Sequence, residues 1–329
     1  MEITFYIGIE GYFRSHPLPE ERISQIQRMT ASEGWPARSE RDLAVAFLFW
    51  TARAQESLNQ HKYQQAEQLA QRSLKVRREQ PEAWDLLARA QFSQANFSEA
   101  ANSYRKLLES DPKKPGDLES FAMALVAANR RGAAGEFKNW LESLRGEIPR
   151  NAGVEQAGLS LVAGDTSPAH RLEMELEQSS DSWGPEYLGE LGWWHYVAGN
   201  YEHAVELLGQ VVQQRPGDTR MWLRRAWAEI EVRRYSDAIQ TVNNGAWENG
   251  SANEERPHGE RAMAQAVAFW LAREPDEALR DYDRAMAGQP EWGNPNWVKA
   301  LYSPLVAQGV EEMRAERERQ RKARLAEKH

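Results

Sequence analysis

The chain has 329 residues, of which 41% are hydrophobic and 27% charged, and its formal net charge is -8. A mean hydropathy of -0.74, with no run of about 18 apolar residues, excludes a membrane-spanning helix, and the acidic balance argues against a nucleic-acid backbone as main partner while favouring a basic protein surface. Without a single cysteine there is no disulfide framework, no thiolate metal site and no cysteine nucleophile, so packing has to hold the fold.

Residues 1–38 form an N-terminal arm or cap. Ile3-Thr-Phe-Tyr-Ile-Gly-Ile reads as a short strand or extended arm ahead of a helical stretch near Glu21. This end lacks the basic region and long apolar run of a signal peptide, so a cytoplasmic location is expected, or a periplasmic one if a leader has been removed. Ser39-Glu-Arg-Asp42 reads as a capping box that opens the first regular helix.

Residues 39–148 hold three units in a 34-residue register without insertion. The middle one shows the pattern best, with Trp84, Leu87, Ala88, Gln91, Ala100, Tyr104, Leu107 and Asp111-Pro112. One period earlier stand Trp50, Ala54, Tyr63, Ala66 and Leu74, and one period later Leu118, Phe121, Ala122, Leu125, Ala134 and Leu141. Residues 149–183 keep only Leu159, Gly164-Asp165, Ala169 and Leu176 at roughly the right places and read as a degenerate unit.

Three more units fill residues 184–291. They carry Leu188, Leu191-Gly192, Tyr201, Ala204, Leu208, Val211 and Pro216, then Trp222, Ala226, Tyr235, Ala238 and Val242. After an insertion around Asn249 come Ala262, Ala266, Phe269, Ala278, Tyr282, Ala285 and Pro290. Residues 292–329 read as a terminal cap and charged tail, with a long helix from Pro304 to about residue 326 whose polar outer face suits the end of an array.

The apolar positions recur at helical spacing, i, i+3, i+4 and i+7, in two runs per unit, which predicts helical hairpins. Positions 8 and 20 of each unit are Ala or Gly because the two helices cross closely there, and Pro at position 32 ends the second helix. The whole of residues 81–114 resembles the tetratricopeptide repeat, W-x2-L-G-x2-Y, A-x3-F, P. The resemblance implies an all-α, right-handed superhelical solenoid of helix-turn-helix hairpins with a C-terminal capping helix. It also implies a non-catalytic protein–protein interaction scaffold or adaptor holding a peptide or partner protein in a concave groove.

No phosphate loop, dinucleotide fingerprint, zincin motif or serine-hydrolase elbow occurs, so no enzyme activity, cofactor or metal is expected. His195 and His203 fall on the two helices of one hairpin and read as packed, hydrogen-bonded residues rather than ligands. The pairs Glu229 with Glu231 and Asp281 with Asp283, two apart on helices, read as solvated faces.

The resemblance further implies that positions 2, 5, 9, 12 and 13 of each first helix line the groove. In the N-terminal units these give a mixed surface: Gln55, Leu58 and Asn59, then Asp85, Arg89 and Phe92, then Glu119, Met123 and Val126. In the C-terminal units they give Trp193 and Tyr196, Trp227 and Ile230, Val267 and Trp270, an aromatic strip with Arg220 and Arg224 on the same stretch. This strip is the candidate partner-binding surface, unless superhelical curvature or the capping helix turns it into core.

The chaperone-type carboxylate clamp is missing, since its positions hold Thr51, Gln55, Asp85 and Arg89, and the asparagine ladder of sugar-transferase arrays is missing too. Two alternatives stay open. With 13 tryptophans the strip could bind a glycan or small ligand using Glu190, Glu229 and Glu231, or it could join copies of the chain in a homo-oligomer.

Overall fold

Small residues at two fixed positions decide how the helices pair. The computed structural model describes residues 46–110, 115–144, 151–178, 184–245 and 255–326, with sixteen α-helices and no strand among them. The N-terminal arm, the capping box at Ser39 and the insertion around Asn249 lie outside the described residues. The chain divides into two compact units, Met1–Ala46 and Phe47–His329, and apart from Ala46 every described residue belongs to the second.

Seven hairpins run in chain order: α1 Ala46–Asn59 with α2 Tyr63–Val76, α3 Pro81–Ser93 with α4 Phe97–Ser110, α5 Pro115–Asn129 with α6 Ala133–Ser143, and α7 Ala152–Val162 with α8 Ser167–Gln178. Then come α9 Gly184–Ala198 with α10 Tyr201–Gln214, α11 Thr219–Glu231 with α12 Tyr235–Asn244, and α13 Glu255–Leu271 with α14 Pro275–Gly288. From α2 onward most helices pack on both the one before and the one after, as stacked hairpins must. Ala54, Ala66, Ala88, Ala100, Ala226, Ala238, Ala266 and Ala278 are fully buried at the crossings. Where Gly192 replaces alanine, an added Cβ would lie 2.9 Å from Leu208 Cγ, which is why that crossing needs glycine.

The turns share one device. His61, Ala95, Gly164, Gly199, Arg233 and Arg273 all adopt positive φ, between 56° and 97°, at the same place in their hairpins. The next residue donates its N–H five residues back, Lys62 to the Ser57 carbonyl at 2.8 Å and Arg234 to Glu229 at 2.9 Å, closing the first helix with a left-handed cap. Gly164 shows that the degenerate unit reverses like the others.

The third unit departs from the expected register. α5 runs on through Asn129, where its counterparts reverse, and α6 then buries Ala133, Phe137 and Trp140, while Ala134 and Leu141 stay half-buried. The expectation of three units without a slip is therefore corrected. The apolar face of α6 is rotated by one residue, about 100° of helix turn, because no left-handed residue resets the chain at this turn.

After α14 the hairpin pattern stops. A 3-10 turn, Pro290–Gly293, leads into the short α15 Pro295–Leu301, whose first turn is capped by the Asn294 Oδ1 accepting from Asn296 N at 3.1 Å. The long α16, Pro304–Ala326, buries Val306, Gly309, Val310 and Met313, one helical stripe, against the array. Arg317 then pairs with Asp283 at 2.5 Å and donates to the Leu279 carbonyl at 2.9 Å, fastening α16 to α14.

Two carboxylates expected on solvated faces are interior. Glu229 is 1% exposed and accepts from Arg225 Nε at 2.8 Å, and Asp281 is 8% exposed and accepts from Arg284 at 2.9 Å. Burial pushes both carboxyls above their ordinary range. A spacing of two residues keeps such groups apart on their own helix, yet one of them can still face a neighbouring helix.

Candidate functional site

Helices α9, α11 and α13 carry the inner positions of the C-terminal hairpins. Of the seven residues singled out there, Trp193, Tyr196, Arg224, Trp227 and Ile230 are all buried, with Trp227 and Ile230 at 0% exposure, while Arg220 and Trp270 keep partial exposure. The strip is thus filled rather than open: the chain's own segment 290–303 covers Trp227, and Arg224 covers Trp193.

That segment lays a second aromatic layer on the first. The Trp227 ring lies 5.9 Å from Trp292 and 5.0 Å from Tyr302, and Trp297 packs edge-on to Trp292 at 5.3 Å. Polar contacts fix the layer to inner positions of the helices. Trp227 Nε1 and the Tyr302 hydroxyl both donate to Glu260 Oε1, at 3.1 and 3.0 Å, Ser303 donates to Glu231, and Ser93 on α3 donates to Glu291 at 3.0 Å. Buried among these rings, the Tyr196 and Tyr302 hydroxyls are held well above the ordinary phenol range, first by loss of water and then by nearby carboxylates. Trp270 donates to Glu312 of α16 at 2.7 Å.

Beside the aromatic layer lies a four-residue charge lock. Arg220 and Arg224 on α11 each bridge the same two carboxylates, Glu190 on α9 and Glu119 on α5. Arg224 lies 2.7 Å from Glu190, Arg220 lies 3.1 Å from Glu119, and the two cross contacts complete the square. The Arg224 guanidinium also lies over the Trp193 ring, 5.1 Å from its centre. Burial opposes charge on Glu190, but Arg224 and Arg220 outweigh it and hold that carboxyl below its ordinary range; for Glu119 burial wins and the carboxyl is raised. Burial likewise drives Glu155 on α7 well above its range, although it accepts from Trp194 Nε1 at 3.0 Å. An added Cβ on Gly158 would sit 2.0 Å from that Trp194 ring, so α7 meets α9 through glycine.

A unit of residues 81–114, repeated at a 34-residue period, folded as stacked helical hairpins with small residues at each crossing, points to one family. The sequence model described as "Tetratricopeptide repeat" matches residues 51–115 and 190–254. The chain carries tetratricopeptide repeats.

Solved structures similar to this tetratricopeptide array include a tetratricopeptide repeat protein from Parabacteroides merdae, 14% identical, covering 81% of this chain and 98% of that one at a TM-score of 0.43. They also include PilF of Pseudomonas aeruginosa, 15% identical over 79% and 97% at 0.37, and the type IV pilus biogenesis factor PilW, 13% identical over 78% and 96% at 0.39. No curated protein sequence matches. Tetratricopeptide folds in general serve as non-catalytic scaffolds for protein–protein interaction. No helix among the described residues is long and apolar enough to cross a membrane.

The N-terminal inner positions contrast with the filled ones. Gln55 donates to Asn59 at 2.7 Å and Arg89 pairs with Asp85 at 3.4 Å, each within its own helix, and both charged side chains are more than a quarter exposed. Phe92 is half-buried, edge-on to Phe97 at 5.3 Å. The acids that a sugar site would have used are engaged inside the fold: Glu190 by two arginines, Glu229 by Arg225, Glu231 by Ser303. Glu119 was placed only on the mixed N-terminal surface, and Glu260 and Trp292 were not among the candidate residues read from the sequence. They lie 101, 33 and 65 residues from Arg220, Trp227 and Trp227 respectively, and local spacing carries no signal for such pairs.

Proposed function

We propose that this protein is a non-catalytic interaction scaffold whose protein partner is taken by the inner helix faces of its first two units, α1 and α3. One asymmetry supports the reading: residues 290–303 of the same chain cover the inner positions of α11 and reach those of α13, whereas on α3 they meet Ser93 at its end and leave Asp85, Arg89 and Phe92, like Gln55 and Asn59 on α1, with exposed edges. A partly buried phenylalanine one turn from the Asp85–Arg89 ion pair suits an extended or helical segment with one apolar anchor beside charge. A partner that used Trp227 would first have to expel the segment 290–303.

A photo-reactive residue placed at Arg89, at Trp270 or, as an outer-face control, at Lys106 tests this. The expected result is partner cross-linking at position 89 well above position 106, lost when Phe92→Ala is added. Dominant labelling at position 270 would move the site to the C-terminal face, and equal labelling at all three would end the reading.

A further inference from the structure

Positions 11 and 24 of the repeat ask for large apolar side chains. At the junction between the degenerate unit and its successor they hold His195 and Glu173 instead. Both are buried, with side chains 8% and 10% exposed, and His195 Nε2 lies 2.6 Å from Glu173 Oε1. His203, from the other helix of the hairpin, brings its Nε2 to 3.2 Å from Glu173 Oε2. Three helices, α8, α9 and α10, thus deliver one carboxylate and two imidazoles to a single point, with their ligand atoms within 4.8 Å of one another.

The surroundings are those of a ligand set. His203 Nδ1 lies 3.4 Å from Glu206 Oε2, and His195 Nδ1 lies 3.4 Å from the Asn200 side-chain amide. Each ring therefore has a partner for its far nitrogen, as metal-bound imidazoles almost always do. With metal on Nε2, the Nδ1 proton of His203 goes to Glu206, and Asn200 turns its amide to offer oxygen to His195. A fourth candidate, His170, sits one turn before Glu173 with its Nδ1 3.9 Å from Oε2, and is 73% exposed, so it can swing in. His203, at 40% exposure, leaves the site open to entry from solvent.

We propose that Glu173, His195 and His203 bind a divalent cation of the zinc class, with His170 closing the coordination shell, and that the ion staples α8 of the degenerate unit to the α9–α10 hairpin. Bonds of about 2.0–2.1 Å in a tetrahedron place ligand atoms about 3.3 Å apart. Glu173 and His195 then move apart by less than about 1 Å while His170 moves in. Imidazoles with one carboxylate select zinc, cobalt, nickel or copper over magnesium and calcium. The staple also has a reason: this is the unit in which the repeat pattern is weakest.

The test uses the untagged full chain, stripped with a chelator and titrated with cobalt(II), then zinc. The expected result is one cobalt per chain with the intense visible bands of tetrahedral coordination, displaced by zinc, and a melting temperature that rises with zinc but not with magnesium. His203→Ala, at the surface, should match the stripped wild type in helicity and melting yet lose cobalt affinity by more than the about 10- to 100-fold that removing a supporting outer group costs. His170→Ala should lose less. A cobalt spectrum that stays that of the aqueous ion, or affinity unchanged in His203→Ala, would overturn the proposal. Should His203→Ala melt early without metal, Glu173→Gln replaces it, judged by the same spectrum.

Discussion

The first two repeats and the last three obey the same packing pattern but have different interiors. In α1–α3 the core is a small cluster around Ala54, Leu69, Leu74 and Leu87, and polar contacts such as Thr51 with Ser73 at 2.7 Å and Gln91 with Ser103 of α4 at 2.7 Å are short-range, Ser93 with Glu291 excepted. From α9 onward the same inner positions carry tryptophans and arginines, roofed by Trp292, Trp297 and Tyr302. The comparison separates two properties that the repeat pattern joins. Positions 8 and 20 make a solenoid, and the inner positions decide whether its groove is left open or packed shut.

The largest effect expected from breaking this contrast is at Arg224. Arg224→Ala leaves Glu190 and Glu119 facing each other without their buried counter-charge, and should cost about 3–5 kcal/mol in chemical denaturation. Arg220→Ala, at a side chain 47% exposed, should cost about 1 kcal/mol or less. Equal costs would mean that the square of charges is not what closes the C-terminal interior.

Next come the tryptophans. Trp227→Ala empties the centre of the double aromatic layer and should cost about 3–5 kcal/mol, whereas Trp84→Ala, at a half-buried ring of the N-terminal units, should cost less than half as much. The same pair can be read by acrylamide quenching, with Trp84 quenched more readily than Trp227.

The pH dependence gives a smaller and signed effect. Glu155 has a folded-state pKa raised above its unfolded value, so its contribution favours folding in acid and is lost as pH rises through the ordinary glutamate range and beyond. Glu190 is depressed, so its contribution is present above the ordinary range and is lost as pH falls below it. Glu155→Gln, which keeps an acceptor for Trp194, should raise stability at neutral pH by about 1 kcal/mol and flatten the decline from acid to neutral pH. An unchanged pH profile would show that Glu155 ionises in the fold as it does in the unfolded chain, with no raised pKa.

The smallest effect is at the turns. Ala95→Gly and Arg233→Gly relieve left-handed strain and add chain entropy to the unfolded state, so each should stabilise by no more than about 1 kcal/mol in thermal melts, alike in both halves. A larger gain in one half would mean that the turns are not equivalent.

Much of this was readable without coordinates. Ala88, Ala100 and Ala226 identify helix crossings because a close approach admits nothing larger, a constraint that acts between residues twelve or so apart. The rotation of α6 was not readable, since it depends on where α5 stops. Nor was the burial of Glu229 and Asp281, which depends on the neighbouring helix.

The candidate strip shows the boundary most clearly. Register alone places Trp193, Tyr196, Trp227 and Ile230 on one face of their helices, since periodicity determines which way a side chain points. Whether that direction leads to solvent was decided by Trp292 and Tyr302, by Glu119, and by Ser93 meeting Glu291 across 198 residues. Local sequence determined the period, the hairpins and the facing of each helix, because those follow from sterics within one or two turns. The filling of the groove belongs to the tertiary structure alone, because it depends on how the summed rotation of successive hairpins brings distant segments together.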